Sequence, residues 1–192
     1  MGKSSREQAG ANRARILEVA SGLFRSRGYD AVGIADVMKA AGMTQGGFYK
    51  HFASKEALAA EAWAFGFERA VRAWQQQANG ACRLGALIDY YFSAKPPERG
   101  CPMVAHGEEA TRQNGDGELR SVYARGARAL YDAFVSTAKG AVDEDRARLL
   151  FAAMVGANML GRGTGNAGWV EDLKKTVKAA VEDASGRNGA AQ

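Results

Sequence analysis

With 192 residues, 46% of them hydrophobic and 24% charged, the chain has the length and composition to bury a sizeable core, which excludes a disordered or low-complexity polymer. The net charge of +5 sits entirely in the first 55 residues, where nine lysines and arginines face four acids, so a basic head joined to a neutral body points to a polyanion, most commonly nucleic acid. Two cysteines without a CxxC pair, Cys82 and Cys101, exclude a disulfide framework and a zinc site and fit a reducing cytoplasm, and the lack of any run of about 18 apolar residues or of an apolar leader after Met1 argues against secretion or a membrane partner.

Taken in order, the first predicted element is an amphipathic helix from Asn12 to Arg27, with Ile16, Leu17, Ala20, Leu23 and Phe24 on one stripe and Gly28 as its stop. A short helix spans about Ile34 to Ala41, with Gly42 turning the chain. A third, about Gln45 to His51, starts behind Thr44. Ser54 is a good N-cap for a long fourth helix carrying Leu58, Ala62, Trp63, Phe65, Phe67, Val71 and Trp74 to about Gln77. Beyond Gly80, a helix with Leu84, Leu87, Ile88, Tyr91 and Phe92 closes at Pro96-Pro97, and Pro102 suits the first turn of the next. Gly115 and Gly117 mark a break before the helix of Leu119, Val122, Tyr123, Leu130, Tyr131 and Phe134. Two last helices run from Asp143 to about Arg162 and from Ala167 to about Ala184. Strand-like alternation and internal repeats are absent, so the expected fold is all-α: a three-helix head over 1–55, a helical body over 56–185 and a disordered tail over 186–192, about nine helices in all.

Within the head, Ile34 to Phe52 supplies a supporting helix, a glycine-relieved turn and a short helix whose Met43 and Phe48 can pack inward while Gln45, Gly46, Tyr49 and Lys50 face out, the parts of a helix-turn-helix. The run Ile34-Ala35-Asp36-Val37 through Ala40-Ala41-Gly42-Met43-Thr44-Gln45-Gly46-Gly47-Phe48-Tyr49-Lys50-His51-Phe52-Ala53-Ser54-Lys55-Glu56-Ala57-Leu58 resembles, without a gap, the DNA-binding signature of the TetR family of bacterial transcriptional regulators. The likeness covers about residues 12 to 60; Gly33 and Gly47 depart from it, standing where many members place a hydroxyl or a larger side chain.

This resemblance implies that Tyr49, His51 and Lys55 touch phosphates, that Thr44 and Arg13 help position the duplex, and that Gln45, the Gly46-Gly47 backbone and Lys50 read bases. The division is physically sensible, because cations and hydroxyls hold phosphate without reading sequence while glutamine can pair with adenine. One head reads too little, so a homodimer on a palindromic operator is expected, its recognition helices about 34 Å apart. The helix around Leu149, Leu150, Met154, Met159 and Leu160 is apolar over most of its circumference, and the family likeness implies pairing through the last two helices.

The resemblance further implies a small-molecule effector in the body and a repressor released on binding it. Trp63, Phe67, Tyr91, Met103, His106 and Tyr123 are the main candidates to line its site, with Tyr90 and Met154 behind them. Cys101, in Gly100-Cys101-Pro102 at a helix start and after Arg99, has surroundings that favour a thiolate, so the effector is a small molecule or an electrophile, and a cysteine-based redox-sensing regulator without a reversible pocket is the alternative. Cys82 reads as structural, and Glu108 and Glu109 as a solvated face or pocket rim. A hydrolase would enlist Cys101, His106 and Glu108-Glu109, but residues five to eight apart on one helix point in several directions, and the chain has no oxyanion motif, phosphate loop or metal-ligand cluster. The expectation is a non-enzyme without cofactor. A purely architectural DNA binder would have no need of so large a second segment.

Overall fold

The computed structural model describes the backbone of residues 2–78, 82–112 and 117–189 and the side chains of 6–78, 82–112 and 117–181. It is all-α, as expected: α1 (Gly2–Arg27), α2 (Ile34–Ala40), α3 (Lys55–Gln77), α4 (Arg83–Phe92), α5 (Pro102–Arg112), α6 (Glu118–Ala138), α7 (Glu144–Thr164) and α8 (Gly168–Gly189), with 3₁₀ turns at Gln45–Lys50 and Pro97–Arg99. Among the described residues the nearest thing to a strand is one isolated bridge between Lys139 and Val142. The breaks expected at Gly80 and Gly115, and the tail from 190, lie outside the described residues.

Two boundaries differ from the sequence reading. α1 starts ten residues before Asn12, because the segment ahead of it, although without an apolar stripe, holds the good helix formers Arg6, Glu7, Gln8 and Ala9, and Gln8 Nε2 donates to Asn12 Oδ1 one turn on at 3.0 Å. α8 likewise continues to Gly189, through the first part of the expected tail. The caps follow the expected chemistry more closely. Gly28 ends α1 in the left-handed region at φ +84°, its N–H donating to Phe24 O at 3.0 Å, and Gly42 turns the chain after α2 at φ +74°. Ser54 Oγ accepts the Ala57 N–H at 3.0 Å at the start of α3. At α2 a glycine stands at the N-cap, and half a capping box survives: Asp36 Oδ2 accepts the Gly33 N–H at 2.8 Å.

The chain divides into two compact units, Met1–Arg69 with Lys95–Gly126, and Ala70–Ala94 with Ala127–Gln192. In the first, Ile16, Ala20, Phe24, Val37, Met38, Phe48, Phe52, Leu58 and Trp63 form one cluster with Ala110, Leu119 and Val122, so the core of the head runs past residue 55 into α5 and the start of α6. In the second, Leu84, Leu87 and Ile88 of α4, Leu130 and Phe134, Leu150 and Met154 of α7, and Val170, Val177 and Val181 of α8 are buried. Rings lock it: Trp74 meets Tyr91 edge-on at 5.6 Å and Phe134 meets Phe151 at 5.5 Å. Arg146 donates to Ala180 O at 2.8 Å, and Lys178 pairs with Asp89 at 2.6 Å. No helix of the described residues is long and apolar enough to cross a membrane.

Candidate nucleic-acid interface

The segment expected to read bases is held from below by one ring. Phe48 is fully buried, 5.8 Å from Phe52 and 5.1 Å from Tyr49. Next to it Tyr49 is 71% exposed, and Thr44, Gln45, Gly46 and Lys50 are exposed beside it, while His51 and Lys55 are half-buried. The recognition segment is a 3₁₀ helix over Gln45–Lys50, with Gly47 N–H donating to Thr44 O at 3.1 Å. Two successive glycines supply little α-helix propensity, which accounts for the tighter, shorter form. A Cβ on Gly47 would stand 3.6 Å from Met38 Cε of α2, an ordinary contact, whereas Gly46 faces open space. Thr44 occupies the N-cap position without a side-chain bond to the helix and is exposed.

The outlying cations behave differently from one another. Arg13 Nη2 donates to both oxygens of Glu61, at 2.7 and 2.6 Å, and the guanidinium lies 4.6 Å from the centre of the Phe52 ring, so Arg13 braces α1 against α3. Lys55 Nζ lies 4.2 Å over the Tyr29 ring, whose phenol is pushed up by burial and by the nearby carboxylates of Glu56, Asp30 and Glu109. Arg15 went unremarked in the sequence because it falls off the signature; it is exposed, and its Nη2 lies 3.6 Å from where a Cβ on Gly42 would stand, beside the turn of the motif.

The expected sensor residues divide between the units. Trp63, Phe67, Met103, His106, Tyr123 and Cys101 belong to the first, the unit that also carries the recognition segment, and Tyr91 to the second. Trp63 and His106 are buried and stacked, ring centres 4.2 Å apart and 16° from parallel; Phe67 meets Tyr123 edge-on at 5.8 Å. Tyr123 OH donates to Met103 O at 3.2 Å. The half-buried Cys101 is flanked by two anchored carbonyls, since Arg25 Nη1 donates to Gly100 O at 3.4 Å while Tyr123 holds Met103. Burial lowers the pKa of both Arg25 and Lys95, and the nearby Cys101 thiol partly opposes this in each.

Two sequence readings are corrected. Cys82 is exposed at the start of α4 and makes no side-chain cap bond, so it packs no core. Glu109 is not part of a solvated face: its side chain is mostly buried, and Oε1 accepts the Tyr29 N–H, whereas Glu108 is exposed and pairs with Arg112.

Comparison with known proteins gives the same outline. The family described as bacterial regulatory proteins, tetR family, matches residues 16–62, the segment that holds α2, the Gly42 turn and the recognition helix. A crystal structure of a TetR transcriptional regulator from Chloroflexus aurantiacus superposes with a TM-score of 0.76 at 27% identity, over 92% of this chain and 96% of that one. The head of the chain matches the TetR family, and the whole chain has the fold of a TetR regulator. Among curated members, a stretch of 111 residues is 39% identical to the HTH-type transcriptional repressor KstR2 of Mycobacterium tuberculosis, 55% of this chain and 54% of that protein. A stretch of 63 residues is 36% identical to the HTH-type transcriptional regulator AcrR of Shigella flexneri, 33% of this chain and 29% of that one. The matches thus span about half or less of these relatives. The reduced form of Escherichia coli NemR shares the fold, with a TM-score of 0.72 at 22% identity over 88% of this chain and 96% of that one.

Proposed function

We propose that this chain is a TetR-type DNA-binding transcriptional regulator, a repressor that binds a palindromic operator as a homodimer and leaves it when an effector binds. The observation that carries this is the pairing of Phe48 and Tyr49: one ring is sealed in the core, and its neighbour is 71% exposed on a basic surface with Gln45 and Lys50. An exposed tyrosine beside cations and an amide is a poor packing element and a good phosphate ligand. DNA binding is assigned to residues 1–55, with Tyr49, His51 and Lys55 at phosphates, Thr44 and Arg13 positioning, and Gln45, Gly46, Gly47 and Lys50 at base edges. Because Arg13 is engaged by Glu61, its positioning role runs through the α1–α3 brace.

Residues 56–185 are assigned to sensing and dimerisation. Leu149 and Met159 of α7 are 68% and 65% exposed, and Leu160, with Trp169 and Leu173 of α8, is exposed as well. So much uncovered apolar surface on the last two helices is what an interface with a second copy would bury. Trp63, Phe67, Met103, His106 and Tyr123 remain the candidates to meet an effector.

Gel-shift titration of the intergenic DNA beside the chain's own gene tests the assignment. Gln45→Ala is expected to lose about 1–3 kcal/mol of preference for the bound site over a scrambled duplex, with affinity for the scrambled duplex unchanged; equal preference in parent and variant removes Gln45 from base reading.

The bracketing of Cys101 by Arg25 and Tyr123 favours one second reading, in which the effector is an electrophile that alkylates or oxidises the thiol. N-ethylmaleimide is then expected to release DNA from the parent and from Cys82→Ser, but not from Cys101→Ser. Release from Cys101→Ser at the parent's rate eliminates the thiol as sensor.

A further inference from the structure

Glu109 lies at a junction that the DNA-binding assignment does not use. Its Oε1 accepts the backbone N–H of Tyr29, the residue after the left-handed Gly28 that ends α1. A side chain on Gly28 would crowd this oxygen, with a Cβ only 3.0 Å away. The other oxygen, Oε2, is buried without a hydrogen bond among the described residues and lies 3.7 Å from His106 Nδ1. His106 in turn stacks on Trp63, whose indole N–H is likewise buried and without a hydrogen bond among the described residues. One carboxylate therefore joins the turn after α1 to an aromatic stack that is wholly enclosed.

The turn it holds decides where the recognition segment lies. After Tyr29 only four residues, 30–33, precede α2, with Val32 fully buried and Gly33 the N-cap; Met38 of α2 then approaches Gly47. A change of a few degrees at 28–33 tilts α2 and carries Gln45–Lys50 with it. Among the described residues a second side-chain tie from α5 to this turn, Arg112 to Asp30 at 3.9 Å, joins two exposed side chains and contributes little. We propose that Glu109 is the positioning residue of the head: through its bond to the Tyr29 N–H, it sets the angle of the helix-turn-helix and hence the affinity for DNA, without touching DNA itself. This rests on the DNA-binding reading above.

The test compares Glu109→Gln, which keeps an acceptor for Tyr29, with Glu109→Leu, which keeps the volume and removes the acceptor. Two quantities are read: amide hydrogen exchange at Tyr29, and affinity for the intergenic duplex bound by the parent. Glu109→Leu is expected to speed exchange at Tyr29 at least tenfold and to weaken binding about tenfold, and Glu109→Gln to restore both to within about threefold of the parent. A Glu109→Leu variant that exchanges and binds like the parent overturns the proposal, and so does a Glu109→Gln variant as impaired as Glu109→Leu. If the parent binds no duplex, the DNA-binding reading falls while the exchange measurement still decides whether Glu109 holds the turn; unchanged exchange in Glu109→Leu rejects the inference by itself.

Discussion

Phe48→Ala is expected to destabilise the chain by about 3–5 kcal/mol and, where it still folds, to abolish binding to duplex DNA, whereas Tyr49→Ala is expected to leave the melting temperature within about two degrees and to weaken binding to every duplex alike. The two rings are neighbours in sequence and 5.1 Å apart, yet one is fully buried and the other 71% exposed. Removing Phe48 opens a hole between Phe52, Tyr49 and the cluster under α2, and the recognition helix loses its only large buried side chain. Removing Tyr49 deletes surface that touches little of the protein, so any effect on DNA comes from the contact itself. Thermal melting and a salt-dependent titration on two unrelated duplexes separate the cases. A Tyr49→Ala variant that melts early but binds normally would reverse the assignment of the two faces.

Gly126→Ala is expected to lower stability by about 1–3 kcal/mol, against the gain that alanine normally brings to a helix. Gly126 lies in α6, and a Cβ there would overlap the ring of Phe67 from α3, a residue that is itself buried. The ring is also fixed from the side by Tyr123, so it has little room to withdraw. Gly85 in α4 is the internal control: nothing lies within 4 Å of its Cβ position, and Gly85→Ala is expected to stabilise by about 0.5–1 kcal/mol. Denaturant unfolding of both variants checks the pair. A Gly126→Ala variant as stable as the parent would mean that α3 and α6 do not approach as closely as the structure has them.

The recognition half of the site was legible because its signals are local. Gly42, Phe48, Ser54 and Gly28 each do in the structure what their chemistry dictates within four residues of sequence, and a buried Phe beside an outward Tyr follows from helical spacing alone. Signals that depend on distant partners were not legible. Arg13 reads as a free cation in the sequence, and only the fold brings Glu61, 48 residues away, against it. Glu109 reads as half of a charged pair with Glu108; nothing in its neighbourhood announces that the Tyr29 amide, 80 residues earlier, needs an acceptor. Cys82 fell to the opposite error, since a cysteine in a helical region suggests packing until the start of α4 is seen to leave it exposed. The helical form of residues 2–11 is not legible for a different reason: the segment has helix propensity but no apolar stripe to mark where α1 begins.

The most direct measurement is the stoichiometry of the complex on its DNA. Sedimentation of the full chain with the intergenic duplex at low salt should show two chains per site, protecting two half-sites about one helical turn apart, with affinity falling steeply as salt rises. A chain that sediments as a single copy and leaves that duplex free, at low salt and with no compound added, would contradict the account.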